Sequence, residues 1–419
     1  MPRILQKFHT KIIPFPRKAT LLPLSFCRLP GYAIIYSRNP EGSVIWILFA
    51  LGLAALIYQV LALISMFRFF RTVMPEGPRS GPGVTVFKPV KEVDNFTREC
   101  LESFLTQDYR PYQVLFGVSD PGDSAVPLLE ELLRAYPEAE AEIIVCSQSL
   151  GSNPKVSKLR QMEPQARYDL LVISDADVQV GPDFLSRAAA ALREPGVGLA
   201  TFPYRAAWAP TFGGALEALT IAGDFIPSVA VAYYVEGIRF ALGAAMVLPR
   251  KVLDEIGGLA PLADYLADDY QLGWRVAQAG YRVRLIPYVV ETRNHISRLQ
   301  DYLSHQLRWT RTYRVCRPRG YLAYGITHAL AYSGLFVVAE GLTLLSGGLL
   351  AAVLWVRCWL AYLSQAGWLG GQLPLAALWL LPVKDLLAFG LWLWSFLGSR
   401  VDWGSRRFRV SREGKLINL

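Results

Sequence analysis

A run of residues without a charged side chain, positions 44–67, constrains the fold of this chain most. About 20 consecutive apolar residues suffice for one helix to cross the hydrocarbon core of a bilayer. The run is too long and too far from Met1 for a cleavable signal peptide, and no small-residue cleavage site follows it. We therefore predict a transmembrane helix over residues 44–67. Residues 1–43 have no helical or strand period, which predicts a disordered tail, and whether they belong to the mature protein is left open.

The C-terminal part of the chain is apolar again, in two stretches. Residues 321–356 carry one acidic residue, Glu340, and residues 373–397 are apolar apart from the adjacent Lys384 and Asp385. We predict two to three membrane helices within residues 321–397, followed by a basic tail over residues 398–419. Ionisable side chains at membrane depth face protein or water, so Lys384 and Asp385 are expected to point away from lipid.

The distribution of basic residues favours a membrane surface over nucleic acid as the partner. The net charge is +9, but Lys and Arg cluster beside the apolar stretches and in the C-terminal segment with Arg406, Arg407 and Arg409. Anionic lipids attract such clusters, and no nucleic-acid-binding motif accompanies them. Arg68 and Arg71 directly follow the first apolar run, which places the next residues in the cytoplasm. Five scattered cysteines without a Cys-x-x-Cys pair fit that reducing compartment and no zinc site.

Residues 82–318, between the apolar stretches, have the pattern of one α/β domain. Short strand-like runs at 84–87, 113–118, 141–146 and 170–174 alternate with helical patterns such as 127–136. This alternation predicts a mostly parallel sheet. Ligands of such sheets bind at the carboxyl ends of the strands, so the residues that follow each run are the first candidates for a site.

Acidic residues stand at these strand ends and at helix starts. Asp175-Ala176-Asp177 directly follows the apolar run 170–173, and paired carboxylate oxygens suit Mg²⁺ or Mn²⁺. Taken singly, such acids more often have a structural role in turns or in the first turn of a helix. Their order along the chain decides between the two interpretations: Asp120, Asp175-Ala176-Asp177, Asp268-Asp269 and His305-x-x-Arg308-Trp309.

This series resembles the motifs of the inverting family 2 glycosyltransferases, and within them the ceramide glucosyltransferase-like branch, which includes hopanoid-associated glycosyltransferases. Local segments are similar as well: Phe87-Lys-Pro-Val-Lys91, Gly151-Ser-Asn-Pro-Lys155, Tyr265-Leu-Ala-Asp-Asp-Tyr270 and Trp403-Gly-Ser-Arg-Arg-Phe-Arg409. The resemblance covers residues 82–318 and extends more loosely into the apolar segments. It implies a GT-A-like, Rossmann-like α/β domain with a mostly parallel sheet. That domain would face the cytoplasm of a bacterium, held at the inner membrane by N- and C-terminal transmembrane helices.

The resemblance also implies a reaction. A sugar, glucose in the first instance, would move from a UDP-sugar to the hydroxyl of a ceramide-like or hopanoid membrane lipid, with inversion to a β-glycolipid. The family assigns proton abstraction to the second acid of the pair, here Asp269, next to Asp268. Asp177 and Asp175 would hold a divalent cation, Mg²⁺ or Mn²⁺. Asp120 would contact uracil, and the other expected nucleotide-sugar contacts are Lys155, Asp175, His305, Arg308 and Trp309.

One position departs from the family pattern. His305 stands where related synthases usually carry Gln and the ceramide enzymes often carry Arg. This departure disfavours the second hypothesis, a processive polysaccharide synthase. The third hypothesis is a non-catalytic membrane scaffold with a GT-A-like domain, and the complete set of carboxylates argues against it. The sequence leaves open the sugar (glucose, N-acetylglucosamine or galactose), the lipid acceptor and the oligomeric state.

Residues 206–234 are unusually apolar for the middle of an α/β domain. Two interpretations are open. The stretch is either a pair of acceptor-binding helices in the membrane interface or a helix buried in the core.

Overall fold

Strands and helices alternate through the middle of the chain, as the sequence predicts. The computed structural model describes residues 40–74, 76–91, 93–207, 211–293, 296–403 and 406–419. The expected disordered tail lies outside these ranges except for positions 40–43, which begin the first helix. Residues 44–419 form one unit.

The described strands form three sheets. In chain order they are β1 (Ser80–Pro89), β2 (Arg110–Val118), β3 (Glu140–Val145), β4 (Leu170–Ser174), β5 (Val178–Gln179), β6 (Val197–Thr201), β7 (Tyr204–Ala206), β8 (Ala245–Pro249), β9 (Arg282–Leu285), β10 (Val290–Thr292), β11 (Arg400–Trp403), β12 (Arg406–Val410) and β13 (Leu416–Asn418). The central sheet has the order β3-β2-β1-β4-β8-β6-β9, and the two small sheets have the orders β5-β10-β7 and β11-β12-β13.

The helices include both the domain helices and the long apolar segments. In chain order they are α1 (Pro40–Phe70), α2 (Thr97–Leu105), α3 (Val126–Ala135), α4 (Pro154–Met162), α5 (Phe184–Ala191), α6 (Phe212–Thr220), α7 (Ile226–Val235), α8 (Arg250–Glu255), α9 (Asp268–Gln278), α10 (Leu299–Cys316), α11 (Pro318–Tyr324), α12 (Ala329–Glu340), α13 (Leu344–Tyr362) and α14 (Leu381–Ser395).

The central sheet is mostly parallel, since only β8 runs antiparallel to both of its neighbours, β4 and β6. Leu171, Val172 and Ile173 of β4 are buried, as expected of a strand that is covered on both faces. Phe87 of β1 pairs with both Leu115 of β2 and Ile173 of β4. The carboxyl ends of these three strands therefore meet at one edge. This is the Rossmann-like, GT-A-like arrangement that the resemblance implies.

Several apolar helices are candidate membrane spans. Four described stretches are long and apolar enough by length and composition, namely Gly42–Phe70, Phe212–Val235, Leu344–Trp368 and Leu375–Ser395. The pair Pro318–Thr327 and Ala329–Glu340, bent by 53°, is a fifth if it is counted as one span. The predicted helix 44–67 falls within the first stretch, and the predicted region 321–397 contains the last two and most of the bent pair.

The apolar stretch in the middle of the domain is mostly buried by protein. It forms α6, a π-helical turn (Ile221–Phe225) and α7. Of its most apolar window, 78% is buried, against 22% for the first candidate span. This burial favours the buried helix over the pair of interfacial helices. Trp208, near the start of the stretch, lies outside the described residues. π-turns inside helices are frequent at functional sites, which draws attention to residues 221–225.

A buried group of four charges fixes this π-turn to two candidate spans, and we call it the charge quartet: Asp224, Arg357, Lys384 and Asp385. Arg357 Nη2 and Lys384 Nζ lie 2.8 Å and 2.6 Å from Asp385 Oδ1. Both cations also pair with Asp224. The expectation that Lys384 and Asp385 face away from lipid is therefore confirmed, because Lys384 is fully buried and both side chains are paired within the protein.

The segment expected as a basic tail folds into an antiparallel sheet of β11, β12 and β13. Its inner side chains form a small apolar cluster of Val401, Phe408, Val410 and Leu416 with Leu266 of the α/β domain. Arg407 and Arg409 alternate with these residues on β12 and are exposed, as period-two alternation in a half-buried sheet requires.

Candidate active site

A cavity of about 1110 Å³ lies at the carboxyl edge of β1 and β4. The residues singled out from the sequence line it, apart from Asp120: Lys155, Asp175, Asp177, Asp268, Asp269, His305, Arg308 and Trp309. Residues as far apart in sequence as Lys155 and Trp309 thus line the same cavity.

Lys155 connects the two acidic motifs. Its Nζ lies 2.7 Å from Asp175 Oδ1 and 3.3 Å from Asp268 Oδ2. The N-cap residue Asn153 accepts hydrogen bonds from the N–H groups of Lys155 and Val156, which fixes the first turn of α4. Burial opposes the charge of a lysine, but the carboxylates of Asp175 and Asp268 outweigh it and raise the pKa of Lys155. A permanent cation therefore stands between the strand-end acids and the helix-start acids.

The turn with Asp175 and Asp177 rests on a buried lysine, Lys88 at the end of β1. Its Nζ donates hydrogen bonds to the carbonyls of Asp175 and Val178 and lies 4.1 Å from the centroid of the Phe104 ring. Burial lowers the pKa of Lys88 to about 8, against the pull of the nearby carboxylates. Lys88 belongs to the family-like segment Phe87-Lys-Pro-Val-Lys91, but the sequence pattern predicts no role for it.

The carboxylate of Asp177 has no cation partner among the described residues. Apart from its own backbone N–H, none of these residues donates a hydrogen bond to it. Burial and the neighbouring Asp175 raise the pKa of Asp177 to about 6. A divalent cation would offset that repulsion, so the two acids fit one. The described residues contain no group of three or more His, Cys, Asp or Glu that could hold a metal alone. Phosphate oxygens and water would therefore complete the coordination shell of such a cation, as is usual for Mg²⁺.

Asp268 and Asp269 begin α9 and differ in their surroundings. Asp268 Oδ1 lies 3.4 Å from Asn153 Nδ2, on the side of Lys155. Asp269 Oδ1 accepts a hydrogen bond from the Tyr270 N–H at 2.7 Å. No described Lys or Arg forms an ion pair with the Asp269 carboxylate at contact distance. Burial and the charge of Asp268 raise the pKa of Asp269 to about 7. A carboxyl group with such a pKa can accept a proton near neutral pH.

A glycine leaves room for the Asp269 carboxylate. A Cβ atom on Gly243 would lie 2.9 Å from Asp269 Oδ2, closer than carbon and oxygen normally approach. Gly243 lies in the loop that precedes β8, and it lines the cavity. Any side chain at this position would therefore displace the carboxylate.

Arg308 on α10 presents a cation to the cavity. No described residue accepts a hydrogen bond from its guanidinium group or forms an ion pair with it. Burial lowers the pKa of Arg308, and the charges of Glu217 and Asp175 act against this shift. A half-buried guanidinium without a protein partner suits phosphate oxygens, which its planar donors can bind in pairs.

His305, one turn before Arg308, belongs to a polar and aromatic group beside the cavity. Its Nδ1 lies 3.1 Å from Oε1 of the buried Glu217, although not in hydrogen-bonding alignment. Glu217 Oε2 accepts a hydrogen bond from Gln306 Nε2 at 2.8 Å. The Trp309 ring lies 4.8 Å from the His305 ring and 5.2 Å from the Phe225 ring, measured between centroids. Glu217 was not foreseen, because an acid on an apolar helix gives no sign of its partner.

Asp120 is an exposed turn residue at the end of β2. Its Oδ1 accepts a hydrogen bond from the Gly122 N–H at 2.8 Å, and its carbonyl accepts one from the Asp123 N–H at 3.1 Å. Its neighbour Ser119 lines the cavity, but Asp120 does not. The structure thus gives Asp120 the turn role that a lone Asp commonly has, and its contact with uracil stays a prediction.

Comparison with known proteins decides what kind of protein has this site. The model of the family described as glycosyl transferase family 21 matches residues 45–416. The chain belongs to this family. The predicted relationship to the ceramide glucosyltransferases is confirmed, and so is the prediction of a hexosyltransferase.

The similar proteins cover different shares of the chain. Ceramide glucosyltransferase 3 of Caenorhabditis elegans is 24% identical over 347 residues, 80% of this chain and 74% of the relative. Ceramide glucosyltransferase 1 of the same organism is 29% identical over 225 residues, 51% of this chain and 46% of the relative. A solved structure, mannosyltransferase PcManGT from Pyrobaculum calidifontis in complex with GDP-Man and Mn²⁺, is 18% identical. It covers 83% of this chain and 99% of its own, with a TM-score of 0.47.

In this family 21 glycosyltransferase, the cavity extends from the acidic cluster to the candidate membrane helices. Its lining includes Tyr58 of α1, Tyr324 of α11 and Leu391 of α14. Phe225, from the π-turn, also belongs to the lining, and its ring contacts that of Trp309. One space thus joins a charged end, suited to a nucleotide diphosphate, to an aromatic and apolar end beside the apolar helices.

Proposed function

We propose that this hexosyltransferase moves glucose from UDP-glucose to the hydroxyl group of a membrane lipid, ceramide-like or hopanoid, and inverts the anomeric configuration to give a β-glycolipid. The observation that carries the proposal is the continuity of the cavity, from the Lys155–Asp175 cluster to Tyr58 and Leu391 on candidate spans. A cavity of about 1110 Å³ exceeds the usual size of a pocket for one small ligand, roughly 300–1,000 Å³, so a donor and an acceptor head group can share it.

The donor would lie at the charged end of the cavity. Arg308 would bind the diphosphate, and its lack of a described protein partner supports this role. Asp175 and Asp177 would hold a divalent cation, which supplies charge neutralisation for the departing diphosphate. Lys155 would keep Asp175 and Asp268 in place through its two ion pairs. Asp120 would meet the uracil from the adjoining rim, beside Ser119.

The acceptor would lie between Asp269 and the aromatic group of Phe225 and Trp309. As the acceptor oxygen attacks the anomeric carbon, its proton would pass to the Asp269 carboxylate. Attack from the side opposite to the departing UDP inverts the configuration, so an α-linked donor gives a β-glycoside. Trp309 would offer an apolar surface to the sugar or lipid, and His305 would orient Arg308 or donate to phosphate. Arg68 in the last turn of α1 and Arg71 directly after the helix support a cytoplasmic catalytic domain at the inner membrane.

One labelling experiment tests the proposal. Membranes that contain the protein are incubated separately with radiolabelled UDP-glucose and UDP-N-acetylglucosamine, and the extracted lipids are analysed by mass spectrometry. We expect label from UDP-glucose in a lipid that carries one β-linked hexose, and about 10²- to 10⁴-fold less label with the Asp269→Asn variant. A product that lengthens with time would instead indicate a polysaccharide synthase. Absence of labelled lipid with every hexose donor would contradict the proposal.

The pH dependence of the reaction should follow Asp269. A general base acts in its ionised form, and the pKa of Asp269 is raised to about 7. We therefore expect kcat/KM for the acceptor to fall as the pH drops through about 7 and to level off above it. Asp268→Asn removes the adjacent negative charge and should move the profile towards acid pH. A profile that stays flat down to about pH 5 would exclude this base.

Metal removal should weaken donor binding. A chelator is expected to abolish transfer, and added Mn²⁺ or Mg²⁺ should restore it, because the diphosphate and the two acids repel each other without a cation. Calorimetry of UDP binding with and without Mn²⁺ provides the measurement. In Asp177→Asn, the gain in UDP affinity on addition of Mn²⁺ should largely disappear. Full activity after complete chelation would remove the metal from the proposal.

A further inference from the structure

The sheet of β11, β12 and β13 packs against the segment that leads into Asp268 and Asp269. The Leu266 N–H donates to the Gly414 carbonyl at 3.1 Å, and the Leu416 N–H donates to the Asp264 carbonyl at 2.7 Å. Leu266 is also part of the apolar cluster inside the sheet. The sheet and the segment therefore share both backbone hydrogen bonds and a small core.

The opposite side of the same segment is held by the loop before α4. Asn153 Nδ2 donates to the Tyr265 carbonyl at 2.8 Å, and the Ser152 N–H donates to Asp264 Oδ1 at 2.9 Å. Residues 264–266 thus contact both the loop before α4, which leads into Lys155, and the C-terminal sheet. The position of the first turn of α9 depends on both neighbours.

The sheet also holds α10, the helix of His305, Arg308 and Trp309. Arg311 donates to the Arg400 carbonyl, and Arg314 Nη2 donates to the Gly398 carbonyl at 2.6 Å. Trp403 and Arg406 of the sheet line the cavity. One element therefore contacts both the acceptor-side acids and the helix of the phosphate-side arginine.

The chain reaches this sheet directly from a candidate membrane span. α14 ends at Ser395, and β11 begins at Arg400. Only residues 396–399 thus separate α14 from the sheet.

We propose that the C-terminal sheet is a positioning element of the reaction, which sets the place of Asp269 relative to Arg308 and to the membrane through Phe408 and Leu416. The inference rests on the proposed role of Asp269 in lipid glycosylation. Neither Phe408 nor Leu416 lines the cavity, so their effect is indirect. A displacement of about 1 Å at a reacting group can cost about 10²-fold in rate, which is the scale of effect that the sheet would control.

The test replaces Phe408, which is 1% exposed, by Ala in the full chain. With UDP-glucose as donor and membrane lipid as acceptor, we expect kcat to fall by about 10²-fold while the affinity for UDP stays unchanged. Phe408→Leu fills most of the space and should recover most of the rate. Ile417→Ala, at an exposed position of the neighbouring strand β13, is the matched control and should behave like the wild type.

Two results would overturn the inference. One is a wild-type kcat in Phe408→Ala. The other is a loss of UDP binding in step with transfer in both Phe408→Ala and Leu416→Ala, which would make the sheet a general support of the fold. If the wild type itself labels no lipid, the proposed function fails rather than the role of the sheet, so the two failures are distinguishable.

Discussion

Asp269→Asn is expected to lower sugar transfer by about 10²- to 10⁴-fold, the usual contribution of a general base. The amide keeps the size of the side chain and can still accept the hydrogen bond from the Tyr270 N–H, but it cannot take the proton of the acceptor. Because Asp269 forms no described ion pair with the donor-side residues, the affinity for UDP should stay near the wild-type value. The measurement is single-turnover transfer from UDP-glucose beside calorimetric UDP binding.

Two further variants separate the chemistry of Asp269 from its position. Gly243→Ala keeps the Asp269 carboxylate but places a methyl group 2.9 Å from its Oδ2. The rate of transfer should therefore fall, while its pH profile should still show the titration of one base. Asp254→Asn changes an exposed acid on α8 and should have no effect. If Asp269→Asn transferred sugar at the wild-type rate while Gly243→Ala was slow, the packing around residue 269 would be needed for transfer, but the Asp269 carboxylate would not be the base.

Site residues that directly follow a predicted strand, or that belong to an ordered series of motifs, could be predicted from the sequence. Asp175 and Asp177 come directly after a four-residue apolar strand, so the sheet edge fixes where they lie once the strand is recognised. The pair Asp268-Asp269 and the His305–Trp309 motif were placed by resemblance, and the structure brings them to the same cavity. Local pattern and ordered motifs were sufficient for these residues.

Long-range partners could not be predicted in the same way. The resemblance implies a nucleotide contact for Lys155, yet its ion pairs with Asp175 and Asp268 make it the link between two motifs. The basic C-terminal residues indicated a membrane surface, whereas the alternate apolar residues Val401, Phe408 and Val410 build a sheet that docks on Leu266. A pairing between residues so far apart depends on the tertiary fold, and neither composition nor periodicity encodes it.

The charge quartet shows the same limit, because the sequence pattern predicts an orientation for Lys384 and Asp385 but no partners. Replacing Arg357 by Met leaves two largely buried carboxylates, Asp224 and Asp385, opposite the single cation of Lys384. Removing one partner of a buried ion pair typically costs about 3–5 kcal/mol, because the remaining charge is buried without compensation. We expect Arg357→Met to lower the thermal stability of the protein in nanodiscs by a correspondingly large amount.

The double variant with Arg357→Met and Asp385→Asn is the decisive comparison. It leaves a neutral pair of Asp224 and Lys384, so it should be more stable than Arg357→Met alone, with a coupling of about 0.5–3 kcal/mol. Arg319→Met, which removes an exposed arginine, serves as the control. Additive losses in the double variant would show that the four charges do not act as a unit.

The quartet should also affect catalysis, because Asp224 is followed directly by Phe225. The Phe225 ring lies 5.2 Å from Trp309 and 5.4 Å from Tyr204, between centroids, so a π-turn released from α13 and α14 would move the aromatic wall of the acceptor end. We therefore expect Arg357→Met to raise KM for the lipid acceptor more than KM for UDP-glucose. Equal changes in the two KM values would mean that the quartet contributes to stability alone. A larger change in KM for the lipid acceptor would mean that the quartet connects the candidate membrane helices to the acceptor end of the cavity.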